Sequence, residues 1–269
     1  METTQKIQLT EEKATLFITL YAKALDNHSK HSILNDKTAE DIIESVDYDF
    51  LNYNNFGNKL LVIRARHFDE LVQEFINTNN NGVVLYLGCG LDSRIYRINP
   101  PVGIDWYDVD YPEVIKLRKT FYPEKESYRM IESSIIDTDW LKEIPQDRPV
   151  IVIAEGVFEY LTREEVETLL NRMTNNFEHG QIIFDVMNSY AVASAKKDLK
   201  NHTGAVHKWA VDDLKEVDSL NPALTRINEI SLFKSPHIRK LPLGIRFPLR
   251  MMSFGTRFKN MNRILQYQF

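Results

Sequence analysis

Short apolar runs alternate with longer helical stretches in the middle of this chain, and that alternation constrains the fold more than any other feature. Five runs have the length of buried strands: 83–87, 106–109, 128–131, 150–154 and 181–187. Helical patterns separate them, most clearly at 162–177, where Thr162 is the expected N-terminal cap of the helix. Strands that alternate with helices form a parallel sheet covered on both faces. The pattern predicts a doubly wound, Rossmann-like α/β fold.

The rest of the chain is predicted to complete one domain around this core. Four parts are expected, namely a helical cap (1–80, with a helix start at Thr10–Lys13), the ligand-binding core (81–187), a polar insertion over the substrate pocket (188–221) and C-terminal strands (222–269). Late strands are predicted at 225–233 and 263–269, while 247–254 is apolar but ambiguous. No composition break indicates a second independent domain.

Composition and charge exclude several classes of protein. Hydrophobic residues make up 43% of the chain and charged residues 26%, as in ordinary globular proteins. The net charge of -5 argues against a nucleic-acid partner. The single cysteine permits no intrachain disulfide. Residues 1–14 are polar and charged, without the apolar core of a secretory signal, and no run approaches the length of a membrane span. We expect a cytoplasmic protein with no membrane partner, and the oligomeric state is left open.

Glycines and acidic residues fall at the ends of the predicted strands. Gly88 and Gly90 follow the first strand, where glycine permits a sharp turn and a close approach of ligand to backbone. Asp108 and Asp110 end the second strand, and Glu155 ends the fourth. Ligands of open parallel sheets bind at the carboxyl ends of the strands. One carboxylate there can accept hydrogen bonds from ribose hydroxyls, and another can hold an ammonium group.

The glycine turn with an acidic residue twenty positions after Gly90 also suits a dinucleotide. A dinucleotide fingerprint, however, places a third glycine where this chain has Ser93, and Asp92 would repel a pyrophosphate. S-adenosylmethionine carries no phosphate and is net cationic, so acidic neighbours suit it better. The turn favours S-adenosylmethionine as the cofactor, with a nicotinamide-dependent oxidoreductase as the alternative.

Three motifs in this order resemble the leucine carboxyl methyltransferase family. They are LGCGLDSRIYR at 87–97, YDVDYP at 107–112 and AEGVFEYL at 154–161. Three further segments are similar: RARHFD at 64–69, WAVDDL at 209–214 and RILQYQF at 263–269. The resemblance is closest to the bacterial branch, the tetracenomycin-type polyketide O-methyltransferases, and covers most of the chain from about Thr15 onward. It implies a class I methyltransferase sheet and an S-adenosylmethionine-dependent O-methyltransferase.

The resemblance also implies a set of cofactor-binding residues. They are Lys23, Arg64, Gly88, Cys89, Gly90, Asp110, Ser134, Ile135 and Glu155. Asp110 would hold the ribose hydroxyls, and Glu155 would lie near the methionine end. Arg64, with Lys23, would reach the cofactor carboxylate, the arginine bidentately. The family usually has an Asp-Leu pair after the third strand to accept from the adenine amino group. This chain has Ser134 and Ile135 there, and a hydroxyl accepts more weakly.

Several of the residues also have purely structural interpretations. Asp110 precedes a proline by two positions and can cap a helix. Cys89 has no identifiable partner base, so a packed side chain is favoured over a nucleophile. Arg94 and Arg97 either bind substrate or form ion pairs.

Few side chains are candidates for chemistry other than cofactor binding. Tyr160 is the only catalytic candidate, and packing is its alternative role. Glu159 is expected to be solvated. The histidines show only a weak H-x-x-H spacing, at His28 and His31, so no metal is expected.

The acceptor can be inferred only as a chemical class. Methyl transfer from a sulfonium chiefly requires an oxygen nucleophile in line with the S–CH3 bond. A carboxylate, with a pKa of about 4, is ionised at neutral pH, whereas a phenol, with a pKa of about 10, benefits from a base. The three motifs contain no histidine. We expect a carboxylate of a small-molecule metabolite as the acceptor, with a phenol as the other candidate. A non-catalytic S-adenosylmethionine-binding protein is a further alternative.

Overall fold

The computed structural model describes residues 15–46, 57–202 and 205–269. The predicted helix start at Thr10–Lys13 lies outside them. The α-helices are α1 (Thr15–Asn27), α2 (Lys37–Ser45), α3 (Gly57–Thr78), α4 (Arg94–Ile98), α5 (Pro112–Phe121), α6 (Arg163–Asn176), α7 (Ser189–His202), α8 (Leu214–Asp218), α9 (Leu243–Met252) and α10 (Thr256–Lys259). Short 3-10 helices occur at Asp139–Glu143, Phe158–Tyr160, Leu232–Lys234 and Pro236–Lys240.

The strands of the described residues form one seven-stranded sheet. They are β1 (Val83–Leu87), β2 (Asp105–Asp110), β3 (Tyr128–Glu132), β4 (Val150–Ala154), β5 (Gly180–Met187), β6 (Thr225–Ser231) and β7 (Asn262–Gln268). Their order is β3-β2-β1-β4-β5-β7-β6, with β1 to β5 parallel and β7 antiparallel to both neighbours. The strand order reverses between β1 and β4, which opens a crevice at their carboxyl ends. The predicted doubly wound α/β fold is confirmed.

Alternation along β1 divides the core between the two faces of the sheet. Val84 and Tyr86 pack in the cluster that includes α1, α3 and α5. Val83, Leu85 and Leu87 pack in the cluster that includes α6 and α8. Every residue of β1 is buried, as expected for a central strand covered by helices on both sides. The continuous apolar run in the sequence therefore reflects burial on two faces.

The C-terminal quarter differs from the sequence prediction in detail. The strand predicted at 225–233 ends at Ser231 and continues as a 3-10 turn. The ambiguous run 247–254 lies mostly in α9, although Pro248 is inside that helix. Residues 222–269 therefore combine strands with short helices. Within the described residues, the predicted insertion consists of α7, an irregular stretch at 205–213 and α8. No helix in the described parts of the chain has both the length and the apolar content needed to cross a membrane.

Candidate active site

A cavity of about 600 Å³ lies at the carboxyl ends of β1, β2 and β4. The nine predicted cofactor-binding residues and the catalytic candidate Tyr160 all line it: Lys23, Arg64, Gly88, Cys89, Gly90, Asp110, Ser134, Ile135, Glu155 and Tyr160. Leu16 and Thr19 of α1 border the cavity from the N-terminal side, and Ala205, Val206 and Lys208 border it from the polar insertion. The fold thus gathers strand ends, an N-terminal helix and the insertion around one space.

The glycine turn after β1 depends on backbone conformations that side chains rarely adopt. Gly88 has φ +62° and Gly90 has φ +53°. A Cβ atom on Gly88 would lie 2.6 Å from Cγ2 of Val157, so a side chain would have no space there. Cys89 between the two glycines is buried. Burial raises the pKa of its thiol, so it is a protonated, packed side chain at neutral pH.

Asp110 is the carboxylate of β2 that faces the cavity. It accepts hydrogen bonds from the backbone N–H groups of Gly90 and Tyr111, both at 2.8 Å. Burial raises the pKa of Asp110 to about 6, and these two hydrogen bonds limit the rise. The N-cap of α5 is Tyr111, with no side-chain cap, so the alternative of Asp110 as a helix cap is not observed. The carboxylate is instead fixed beside the glycine turn.

Asp108, two residues earlier, points into the core. It is fully buried and lies 2.6 Å from the guanidinium of Arg118. It also accepts from the Tyr128 hydroxyl at 2.6 Å and from the Trp106 indole at 2.9 Å. The two aspartates share a face of β2, because side chains two residues apart in a strand point to the same side. Asp110, at the carboxyl end, lines the cavity, whereas Asp108 is engaged inside the core.

Nine largely buried charged side chains form a connected ion network beside the cavity. Its members are Lys23, Asp36, Arg64, Asp69, Asp92, Arg94, Arg97, Glu155 and Asp185. They come from α1, α3, α4, β5, the end of β4, and the segments before α2 and after β1. The ion network thereby joins the N-terminal helices to the carboxyl edge of the sheet.

Arg94 and Arg97 belong to the ion network and do not line the cavity. Arg94 is fully buried, donates to Asp69 at 2.7 Å and pairs closely with Glu155. Arg97 lies 2.8 Å from Asp69 and 2.6 Å from Asp92. Of the two interpretations open at the sequence level, ion pairing is the one observed.

Arg64 and Lys23 are the members of the ion network that present cations to the cavity. Arg64 donates to Glu155 at 3.0 Å and to Asp185 at 2.9 Å. Lys23 lies 2.8 Å from Asp92. A Cβ atom on Gly156, which has φ +67°, would lie 2.9 Å from a terminal nitrogen of Arg64. The absence of a side chain at position 156 therefore leaves the space that the Arg64 guanidinium occupies.

Glu155 has both carboxylate oxygens engaged by guanidinium groups. One oxygen accepts from Arg64, and the other is paired with Arg94. Burial alone would raise the pKa of Glu155, but the positive charges of Arg94, Arg64 and Lys23 hold it below its ordinary value. Glu155 is thus an ionised group that orients Arg64.

The loop after β3 contributes a carboxylate that the sequence analysis missed. Ser134 lines the cavity, and its hydroxyl accepts from the backbone N–H of Ile136 at 3.3 Å. Asp137, three residues later, also lines the cavity and is exposed. The departure from the family's Asp-Leu pair is therefore accompanied by another acidic side chain in the same loop.

A histidine that lies outside the three motifs approaches the far side of the cavity. The rings of His207 and Tyr160 are 5.1 Å apart between centroids. Burial lowers the pKa of His207, so its imidazole is neutral at neutral pH. Lys208, the next residue, is exposed, lines the cavity and forms no ion pair with another described residue. Only the folded chain brings these residues to the site.

Glu159 is buried, contrary to the expectation that it is solvated. One of its carboxylate oxygens has no hydrogen-bond partner among the described residues. Burial, together with the nearby charge of Asp185, raises the pKa of Glu159 to about 8. The side chain is therefore protonated at neutral pH, chiefly because burial disfavours the charged form of the carboxyl group.

Comparisons with known sequences give consistent matches. The family model for leucine carboxyl methyltransferases matches residues 16–174. The chain is 37% identical over 237 residues to the tetracenomycin polyketide synthesis O-methyltransferase TcmP of Streptomyces glaucescens, covering 87% of this chain and 88% of that protein. It is 34% identical over 244 residues to the S-adenosyl-L-methionine-dependent methyltransferase dpfgK of Gibberella zeae, covering 81% and 82%.

Solved structures with the same fold are remote in sequence. A candidate methyltransferase of Thermobifida fusca has a TM-score of 0.63 at 10% identity and covers 96% of this chain and 94% of its own. Magnesium protoporphyrin IX methyltransferase of Synechocystis, solved with S-adenosylhomocysteine, has a TM-score of 0.50 at 12% identity, covering 88% and 97%. These similarities concern the fold alone.

We expect Arg94→Met to lower the free energy of unfolding by about 3–5 kcal/mol. Methionine fills similar volume but removes a buried cation that Asp69 and Glu155 share, so that Asp69 keeps only Arg97 and Glu155 keeps only Arg64. Urea denaturation measures the loss. The matched control is Arg163→Met, which breaks a half-exposed pair with Glu167 and should cost at most about 1 kcal/mol. Equal losses in the two variants would contradict the importance given to the ion network.

Proposed function

The chain belongs to the leucine carboxyl methyltransferase family and is an S-adenosylmethionine-dependent methyltransferase, and we propose that it methylates a carboxylate of a small-molecule metabolite. The family match confirms the resemblance inferred from the sequence and disfavours a nicotinamide-dependent oxidoreductase. The name of the family specifies a carboxyl acceptor, and that of the Streptomyces relative specifies O-methylation in polyketide synthesis. The observation that carries the proposal is the cavity itself: members of the ion network line its cofactor half, and its acceptor half includes Lys208, a cation with no ion-pair partner among the described residues.

In this proposal, the nucleoside of the cofactor lies across the glycine turn. Asp110 accepts hydrogen bonds from the ribose hydroxyls, because its two backbone partners fix the carboxylate at the cavity wall. Gly88 and Gly90 let the cofactor approach the backbone. Adenine lies toward Ser134 and Ile135. Its amino group donates to a side chain of that loop, for which the serine hydroxyl and the Asp137 carboxylate both lie at the cavity.

The methionine end of the cofactor is assigned to Arg64 and Lys23. Their positive charges suit the cofactor carboxylate, and both border the cavity. The ion network as a whole contains four cations and five carboxylates, so one negative charge remains. S-adenosylmethionine, with a sulfonium, an ammonium and a carboxylate, has one net positive charge. The net charges of the ion network and of the cofactor are therefore opposite in sign. A pyrophosphate, which is negatively charged, would be repelled by the same network.

The acceptor is assigned to the side of the cavity formed by Tyr160 and the insertion. Leu161, Ala205 and Val206 provide apolar contacts there. Lys208 offers a cation that no described carboxylate occupies, so an ionised acceptor can pair with it. The lysine would orient the acceptor rather than react with it.

Methyl transfer in this site requires positioning more than proton transfer. The cofactor supplies an activated methyl group on sulfur, and an ionised carboxylate attacks it without a base. Alignment of the two reactants can supply on the order of 7–11 kcal/mol of the reduction in barrier. Tyr160 contributes to the wall that aligns the acceptor and excludes water. No proton needs to move before the transfer.

A phenol acceptor is the second candidate, because of His207. A neutral imidazole against the Tyr160 ring can accept a phenolic proton, directly or through water. The carboxylate remains the favoured acceptor, because Lys208 lines the cavity whereas His207 lies behind its wall.

We expect Asp110→Asn to weaken S-adenosylhomocysteine binding by about 1.5–3 kcal/mol, roughly tenfold to 150-fold, through the loss of charge-assisted hydrogen bonds. The wild-type affinity should also decline as the pH falls below about 6, because the carboxylate then takes up a proton. In the variant, this part of the pH dependence should disappear. Calorimetry between pH 5 and pH 8, a range centred on that pKa, measures both effects.

The matched control is Asp105→Asn at the other end of the same strand, where the side chain pairs with Arg148 away from the cavity. The affinity of the Asp105→Asn variant for S-adenosylhomocysteine, and the pH dependence of that affinity, should equal those of the wild type. An Asp110→Asn variant that binds as tightly as the wild type would refute the ribose assignment.

The class of acceptor is tested by labelling a cell extract with methyl-tritiated cofactor and the purified enzyme. Methyl esters of carboxylates hydrolyse in mild base and release volatile methanol, whereas aryl methyl ethers survive. We expect base-labile label in the small-molecule fraction. Base-stable label that disappears with His207→Gln would instead support the phenol acceptor. Label confined to protein would contradict both.

We expect Lys208→Gln to raise the KM of a carboxylate acceptor about fivefold, because an exposed ion pair contributes up to about 1 kcal/mol. The affinity for S-adenosylhomocysteine should not change. Lys215→Gln, on α8 and outside the cavity lining, is the control and should alter neither constant. A KM unaffected by Lys208→Gln would remove this lysine from acceptor binding.

A further inference from the structure

A second group of ligating side chains lies away from the cavity, between α3 and the 3-10 turn at Pro236–Lys240. His67 and Glu70 are one helical turn apart on α3, and His237 reaches them from the 3-10 turn. One ligand atom from each residue lies within 4.8 Å of the other two. None of the three lines the cavity. Two imidazoles and a carboxylate are a donor set that transition metals accept in proteins.

The distances within the cluster approach those of a metal site. Oε2 of Glu70 lies 3.3 Å from Nδ1 of His67 and 3.2 Å from Nε2 of His237. Tetrahedral zinc with bonds of about 2.0–2.1 Å separates its ligand atoms by about 3.3 Å. Two of the three edges therefore already have the required length. The third edge, between the two imidazole nitrogens, is at most 4.8 Å long, and rotation of the imidazoles would shorten it.

The neighbouring groups would hold the ligands in place. Nε2 of His67 lies 2.7 Å from the Ser235 hydroxyl. A hydrogen bond to that hydroxyl leaves Nδ1 free to coordinate, which is how coordinating histidines are commonly oriented. Oε1 of Glu70 accepts from Arg66 at 2.9 Å and lies 3.0 Å from Nε2 of His237, whereas Oε2 is the oxygen that contacts both imidazoles. Arg66 is 41% exposed and can withdraw its charge toward solvent.

We propose that His67, Glu70 and His237 bind one divalent transition-metal ion, with zinc the best match to these donors. The protein supplies three ligands, and water occupies the fourth position. The ion joins α3, which also carries Arg64, to the 3-10 turn near the C-terminus. Its role is to fasten these two segments together, outside the methyl-transfer site.

Sequence spacing alone does not reveal such a site. His67 and Glu70 are three residues apart, but His237 is 167 residues beyond Glu70. The competing interpretation is a metal-free cluster, in which two neutral imidazoles donate to the carboxylate and the Ser235 hydroxyl donates to His67. Both interpretations agree with the distances, so they are separated by the binding of the metal itself.

In the experiment, zinc is titrated into the purified, tag-free full chain and its binding is measured by calorimetry. Thermal unfolding is then measured with and without zinc. Cobalt in place of zinc provides a spectroscopic readout, because four-coordinate Co²⁺ absorbs visibly. We expect saturable binding of one ion per chain, a higher Tm with zinc, and cobalt absorption typical of nitrogen and oxygen ligands. The absence of saturable binding would mean a hydrogen-bonded cluster only and would overturn the proposal.

Two variants and one control locate the ion. Glu70→Gln and His237→Gln should each abolish stoichiometric binding and the gain in Tm. Glu70 is 38% exposed in its side chain, so that variant tests the site without opening the core. The control is His28→Gln, which removes an exposed histidine 3.4 Å from Glu40 and should leave binding unchanged. Binding that survives in both ligand variants, or is lost in the control, would place the ion elsewhere and refute the site.

Discussion

Taking nine charged side chains out of water is expensive, and in this protein the cost is offset by their mutual pairing in the ion network. Buried ion pairs seldom stabilise a fold more than apolar packing of the same volume would. In this protein, the ion pairs fix the positions of the helices relative to the sheet. Arg94 ties α3 to the end of β4 through Asp69 and Glu155. The ion pairs thereby set the N-terminal helices, which also pack by apolar contact, against the cofactor side of the sheet.

This constraint explains the division of the cavity into two chemical halves. On the cofactor side, Arg64 and Lys23 are held at fixed positions by carboxylates, so they are preorganised for an anionic group. On the acceptor side, the wall contains Tyr160, Val206 and the exposed Lys208. A rigid cofactor site beside a more open acceptor site suits an enzyme whose chemistry resides in the cofactor, since the protein then has mainly to align two molecules.

The sequence predicted the parts of this structure that depend on local patterns. The strands β1 and β4 were predictable because continuous apolar runs indicate burial on both faces. The positions of Asp110 and Glu155 at the cavity were predictable because both residues stand at the carboxyl ends of such runs. The partners of Arg94 could not be predicted, since ion pairs join residues distant in the chain. The burial of Glu159 and the approach of His207 to Tyr160 likewise depend on how the insertion folds back. For α9, an apolar run that includes a proline matches neither a regular strand nor a regular helix.

The most direct test of the account is a crystal structure of the complex with S-adenosylhomocysteine. The ribose hydroxyls should lie within hydrogen-bonding distance of the Asp110 carboxylate, and the amino-acid carboxylate should face Arg64 and Lys23. The cofactor sulfur should then face the side of the cavity that contains Tyr160. A ligand bound with its ribose away from Asp110, or with its amino-acid end away from the two cations, would contradict the account, whatever activity the enzyme shows.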